Sequence, residues 1–137
     1  MRYISSKHIP TEELQKLYND AGWFNYTYDL NKLNQAFSRS LYVLSVWDDT
    51  ELVGLIRLVG DGISIVLIQD LLIKTKYQNQ GIGPSLIDKV LKRYKDVMQI
   101  VCLTDNQENT KSFYKKRGLS HVSNYNVVAM AEIKPHI

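Results

Sequence analysis

The chain has 137 residues, of which 45% are hydrophobic and 23% charged, and 17 lysines and arginines against 14 aspartates and glutamates leave a net charge of +3. That balance suits one domain with a real core and excludes wholesale disorder. A single cysteine, Cys102, excludes an intrachain disulfide and fits a reducing cytosol. No cluster of Cys and His has metal-ligand spacing, and no apolar run is long enough to span a bilayer. The first residues lack the apolar stretch of a secretion signal. The densest basic cluster, Lys92-Arg93-Tyr94-Lys95, reads as a helix end where cations suit the dipole, or as a contact to an anionic ligand. No basic stripe with interleaved aromatics suggests nucleic acid. The expectation is therefore one cytoplasmic domain over residues 1–137, with no metal, membrane or nucleic-acid partner.

In chain order, residues 2–6 suit a short strand. Pro10-Thr11 opens a helical pattern with Leu14, Leu17, Tyr18 and Ala21 on one side, and Gly22 ends it. An aromatic loop, Gly22-Trp23-Phe24-Asn25-Tyr26-Thr27-Tyr28-Asp29, leads to a second helix, N-capped by Asp29, with Leu30, Leu33 and Phe37 at spacings of three and four. Three apolar runs follow, Leu41–Trp47, Leu52–Val59 and Ile63–Ile73, separated by Asp48-Asp49-Thr50 and Gly60-Asp61-Gly62. Short turns between such runs predict an antiparallel meander covered on both faces.

A helix with an apolar stripe of Ile82, Leu86, Ile87, Val90, Leu91 and Tyr94 comes next, then a strand within Val97–Thr104. The β–α–β unit this makes should be parallel and right-handed. Asp105 with Glu108 suits a capping box for a last helix through Arg117, ended by Gly118 in the left-handed conformation. Val122–Ile133 reads as one or two closing strands. The fold class is α/β (α+β), in the order β-α-α-β-β-β-α-β-α-β(-β).

The segment between the third apolar run and its helix carries the chemistry. It reads Gln78-Asn79-Gln80-Gly81-Ile82-Gly83. Glycines let the backbone take positive φ and approach a ligand closely. The first helical turn offers N–H groups without internal partners and the positive end of the dipole. Together these suit a phosphate or diphosphate, although a tight strand-to-helix turn would use the same residues. No Gly-Lys-Ser/Thr follows, so it is no Walker loop, and the third glycine of the dinucleotide fingerprint is missing.

Gln78-x-x-Gly81-x-Gly83 resembles the Q/R-x-x-G-x-G/A diphosphate loop of the GNAT acetyltransferase superfamily. In the order shown there, Ile68-Gln69-Asp70-Leu71-Leu72-Ile73 resembles the fourth strand and Tyr77 the aromatic before the loop. Thr110–Leu119, with Phe113-Tyr114 and Gly118, resembles the A-x-x-F-Y-x-x-x-G-F segment. The resemblance covers residues 41–119 well and implies a twisted, mostly antiparallel mixed sheet of six or seven strands with about four helices. It implies acetyl-CoA as cosubstrate, its pantetheine arm lying between two diverging strands against the main chain of Leu72 and Ile73. Its diphosphate would rest on the amides of Gln80, Gly81, Ile82 and Gly83, with Gln78 shaping the loop. Pro84 departs from the pattern and lacks an N–H. Asn109, near the position of a pantetheine-binding asparagine, is the matching candidate, although that position falls nearest Gln107.

For catalysis, Tyr114 matches a tyrosine that protonates the departing thiolate. Asp70 is the candidate base, with a strand-end carboxylate bonded to backbone as the other reading. Trp23, Tyr26 and Tyr28 form either an acceptor wall, aided by cation–π attraction, or a packed cap over the core. Cys102 reads as a small core residue, His121 as a surface or satisfied histidine, and His8 and His136 carry no signal. A small-molecule amine is the expected acceptor, and the resemblance allows a homodimer. A module that holds an acyl-CoA without turning it over is the alternative; a P-loop nucleotide hydrolase lacks its lysine.

Overall fold

The computed structural model describes residues 1–134; His136 lies outside the described residues. They form two compact units, Met1–Leu103 and Thr104 onward. In the first, β1 (Arg2–Ser5), α1 (Thr11–Asp20), the one-turn α2 (Phe24–Thr27), α3 (Leu30–Ser38), β2 (Tyr42–Asp48), β3 (Glu51–Gly60), β4 (Ile65–Ile73), α4 (Ile82–Arg93) and β5 (Gln99–Cys102) follow in order. The five strands lie in sequence order in one sheet. The first four are antiparallel neighbours, and β5 runs parallel to β4 across the helical crossover.

Local chemistry sets the helix ends. The carboxylate of Asp29 accepts from the Lys32 N–H at 3.2 Å, as an N-cap does. Helix α1 closes with a Schellman pair: Gly22, at φ +78°, donates to Asn19, and Trp23 donates to Tyr18. That reversal turns the aromatic segment back on itself. The segment expected as a loop thus contains α2, closed by the Tyr28 N–H on the Phe24 carbonyl.

The apolar stripes become the core. Leu14, Leu17, Tyr18, Leu33 and Phe37 join Val43, Leu52, Leu55 and Leu72 in one buried cluster. Helix α4 buries Ile82, Leu86, Ile87 and Val90 and also packs on β3 and β4. Each such side chain removed from water contributes about 1.5–3 kcal/mol.

A register irregularity in β4 decides which way Asp70 points. Arg57 pairs with Asp70 but Leu58 pairs with Ile68, so Gln69 is an extra residue. An extra residue switches the face presented by everything beyond it. Ile68 therefore shares a face with Leu58, whereas Asp70 and Leu72 share the other with Arg57 and Leu55, the face on which Tyr18 and Phe37 pack.

The second unit holds α5 (Glu108–Lys116) and a 3₁₀ turn, Val122–Tyr125. A Schellman pair from Gly118 (φ +98°) and Leu119 onto Lys115 and Tyr114 ends α5 as expected. Two expectations are corrected. Asp105 accepts from the Gln107 N–H two residues on, an Asx turn, so no capping box forms; Gln107 occupies the N-cap without a side-chain bond, and Glu108 pairs with Lys111. The closing strands expected over Val122–Ile133 are also missing, so the sheet has five strands instead of six or seven. His121 Nδ1 caps the 3₁₀ turn through the Ser123 N–H, and Asn126, left-handed at φ +58°, ends it. Residues 126–134 are irregular, with Val127, Val128, Met130 and Ile133 exposed. Strand propensity expresses itself only when a partner strand is at hand, and the second unit has none among the described residues.

Candidate active site

Strands β4 and β5 pair only from Ile65–Gln99 to Ile68–Cys102. Beyond Ile68, residues Gln69 to Ile73 continue β4 beside β3 with no β5 partner among the described residues. That edge offers main-chain donors and acceptors to an added extended chain. The main chain of Leu72 and Ile73 lies on this stretch.

The glycine loop leaves directly from that edge. Gln78 donates from Nε2 to the Ile73 carbonyl at 3.1 Å, folding the loop against the strand end, and Gln80 Nε2 reaches the Lys76 carbonyl at 3.4 Å. Asn79 (φ +63°) and Gly81 (φ +82°) are both left-handed, and Gly81 is the N-cap of α4. A Cβ built on Gly81 would meet nothing within 4 Å, so there is room for a ligand at this turn. The first bond along the helix is Ser85 N–H to the Gly81 carbonyl, and the Ile82 and Gly83 amides precede it without intrahelical acceptors. Pro84 occupies the first turn comfortably and donates nothing.

A network that sequence reasoning missed fixes this loop. Asp20, at the end of α1, accepts from both the N–H (2.8 Å) and hydroxyl (3.0 Å) of Thr75. From the β2–β3 turn, Asp48 and Glu51 accept from the Tyr77 hydroxyl at 2.7 and 3.1 Å, and Glu51 pairs with Lys74 at 2.9 Å and Lys76 at 3.2 Å. The Asp48 hydrogen bond, chiefly, raises the Tyr77 phenol above its usual range, so it remains a donor. The Lys74 hydrogen bond, chiefly, holds the Glu51 carboxyl down to about 2 from an ordinary 4.5. A depressed folded value means stability present above pH 4.5 and lost as pH falls toward about 2. Melting temperatures of wild type and Glu51→Gln should therefore differ at neutral pH and converge through that window.

A second missed feature is buried. Asp70, 1% exposed, receives the Tyr18 hydroxyl at 2.8 Å and Arg57 Nε at 2.7 Å, both on Oδ2. Its partners are therefore side chains; the backbone bonding entertained from sequence is not what holds it. Arg57 also reaches Ser40 Oγ at 3.3 Å and lies over the Phe37 ring at 5.3 Å. Burial, then the Asp70 charge, pushes the Tyr18 phenol well above 10. The signal available in sequence was two opposite charges, each alone in an apolar run of adjacent strands.

Of the aromatic candidates, Trp23 and Tyr26 stack at 5.8 Å and 28°, and both touch Tyr18, at 6.2 and 5.0 Å. They also pack on the core cluster, as a cap over the core does. Tyr28 is 71% exposed. In the second unit, Tyr114 is half-buried in α5 with its ring edge-on to Phe113 at 5.1 Å, and Asn109, exposed in the first turn, accepts from the Thr110 N–H. Cys102 is half-buried, and burial raises its thiol. Among the described residues no group of His, Cys, Asp or Glu could hold a metal, and no helix is long and apolar enough to cross a membrane.

An open strand edge thus feeds a glycine loop at a helix start. A family model, the acetyltransferase (GNAT) domain, matches residues 9–131, and the chain belongs to that family. A GNAT-family acetyltransferase from Streptococcus pneumoniae is similar in structure, with a TM-score of 0.85 and 35% identity over 97% of both chains. The PaiA N-acetyltransferase of Thermoplasma acidophilum, solved with coenzyme A, shares the fold, with a TM-score of 0.69 and 21% identity over 86% of this chain and 89% of that one. An uncharacterized ycf52-like N-acetyltransferase of Prochlorococcus marinus is 30% identical over 112 residues, 77% of this chain. The chain spans about 60% of the length of that curated relative.

Proposed function

We propose that this chain is a single cytoplasmic catalytic domain that transfers the acetyl group of acetyl-CoA to a primary amine of a small molecule, by direct attack within a ternary complex. The observation that carries the reading is the stretch of β4 from Gln69 to Ile73, which has no partner on its β5 side among the described residues and runs into the Gly81 turn. Pantetheine would take the Leu72 and Ile73 main chain as an added strand. The diphosphate would lie on the amides of Gln80 to Gly83, with Gln78 holding the loop. Asn109 is proposed for the pantetheine arm on its place in the motif. Pro84 removes one donor, and the remaining amides share the anion.

Transfer requires a neutral amine, a polarised carbonyl and a protonated leaving thiolate. Tyr114 is proposed as the acid for the thiolate, again on the motif. Trp23, Tyr26 and Tyr28 are proposed to contact the acceptor, and Asp70 to serve the base side. The test is thiol release from acetyl-CoA over a panel of amines. Amine-dependent release by the wild type is expected, and Tyr114→Phe should lower kcat by about a hundredfold or more with acetyl-CoA affinity retained. Tight acetyl-CoA binding with no release for any amine would instead favour a module that only senses the acyl-CoA.

A further inference from the structure

Asp70 is too deep to meet an acceptor directly. Both hydrogen bonds it receives fall on Oδ2, whereas Oδ1 is shielded from solvent and has no hydrogen-bond partner. A buried carboxylate oxygen without a donor is costly and calls for an explanation. Tyr26 lies near Asp70, close enough for the carboxylate charge to act on its phenol. Its ring is 5.0 Å from that of Tyr18, it is half-buried, and its hydroxyl oxygen accepts from Gln69 Nε2 at 3.3 Å. Gln69 is the extra residue that turns Asp70 toward this face. Burial and then the nearby Asp70 charge raise the Tyr26 phenol, so the hydroxyl keeps its proton at rest.

We propose that Tyr26 carries a proton from the acceptor ammonium to Asp70 Oδ1, which makes the shielded carboxylate usable as a base. This rests on the acetyltransferase reading. An N–H bond of the ammonium breaks and its proton passes to the Tyr26 oxygen while the Tyr26 O–H proton passes to Oδ1. Nitrogen keeps the electron pair and attacks the thioester carbonyl carbon. The C–S bond breaks, sulfur leaves with its pair and is protonated by the acid proposed for the thiolate, and the second nitrogen proton restores that acid. The proton on Asp70 returns through Tyr26 to solvent after release, so each turnover frees one proton. The charged and titratable groups facing the pair are Arg57 from β3 and Tyr18 from α1. Both donate to Oδ2, which leaves Oδ1 as the proton's destination. The acceptor is accordingly one that arrives protonated: an alkyl ammonium seated against the Tyr26 and Trp23 rings.

The test measures kcat/KM for an alkyl amine from pH 6.5 upward in wild type, Tyr26→Phe, Asp70→Asn and the double variant, with acetyl-CoA affinity and melting temperature alongside. Tyr26→Phe should lose about a hundredfold near neutrality, and the deficit should shrink as pH nears the amine's own pKa, since more substrate then enters neutral. The double variant should be no slower than the slower single one, because both interrupt one path. Deficits that multiply, or a Tyr26→Phe deficit independent of pH, would overturn the relay while leaving the acetyltransferase reading intact. Should Asp70→Asn not fold, the Tyr26→Phe profile decides alone. Absence of thiol release by wild type with every amine overturns the relay together with the reading beneath it.

Discussion

Arg57→Ala should lower unfolding free energy by about 3–5 kcal/mol, the cost of leaving one member of a buried ion pair alone. For a chain of this size that is a fall in melting temperature of roughly 10 °C or more. Arg57 is 4% exposed, and its guanidinium connects Asp70, Ser40 and the face of Phe37. Removing it leaves Asp70 with one donor, Tyr18, for two buried oxygens. Burial by itself disfavours the charged guanidinium, but Asp70 and the two phenols outweigh that and hold its pKa up, so the charges depend on one another. The contrast that isolates this cause is Arg57→Met combined with Asp70→Leu. Replacing both charges with apolar groups of similar volume is often near neutral. The double variant should therefore melt well above Arg57→Ala, and thermal unfolding of the two measures the difference. A double variant as unstable as the single one would place the cost in packing instead.

How much of this could be read in the sequence depends on the range of the interactions. The Gly81 turn, the α4 stripe, the Asp29 cap and the Gly22 and Gly118 stops are each set within a few residues, and all were legible. The direction of Asp70 was not. Strict alternation along Ile65–Ile73 puts Ile68, Asp70 and Leu72 on one face, whereas the extra residue Gln69 divides them between two. That bulge exists only because β3 is the neighbour, so no pattern within β4 announces it. The ties from Asp20, Asp48 and Glu51 to Thr75–Tyr77 span 26 to 55 residues and were equally invisible. Tyr18 was read as one more core position on α1. Its ring is in the core, but its hydroxyl belongs to the Asp70 cluster.

The tail shows the opposite failure. Val127, Val128, Met130 and Ile133 carry strand propensity that periodicity reports faithfully. A strand also needs a hydrogen-bonded neighbour, and the local backbone there instead closes on itself, Asn124 on His121 and Val127 on Val122.

Gly81→Val should weaken acetyl-CoA binding by at least about tenfold, the equivalent of about 1.4 kcal/mol. At φ +82° an L side chain is strained by roughly 1–2 kcal/mol, and a β-branched one is a true outlier there. The added Cβ meets nothing within 4 Å, so that atom strikes no part of the protein. The loop relieves the strain by turning its backbone, and that turn re-aims the Ile82 and Gly83 amides proposed to receive the diphosphate. Gly22 provides the control, since it has nearly the same conformation, φ +78°, and the same open space, but at the end of α1. Gly22→Val should incur a similar stability loss with acetyl-CoA affinity unchanged. Calorimetric titration of both variants, beside their melting curves, separates strain from ligand contact. Equal affinities in the two variants would mean that the Gly81 turn supports the fold without holding the anion.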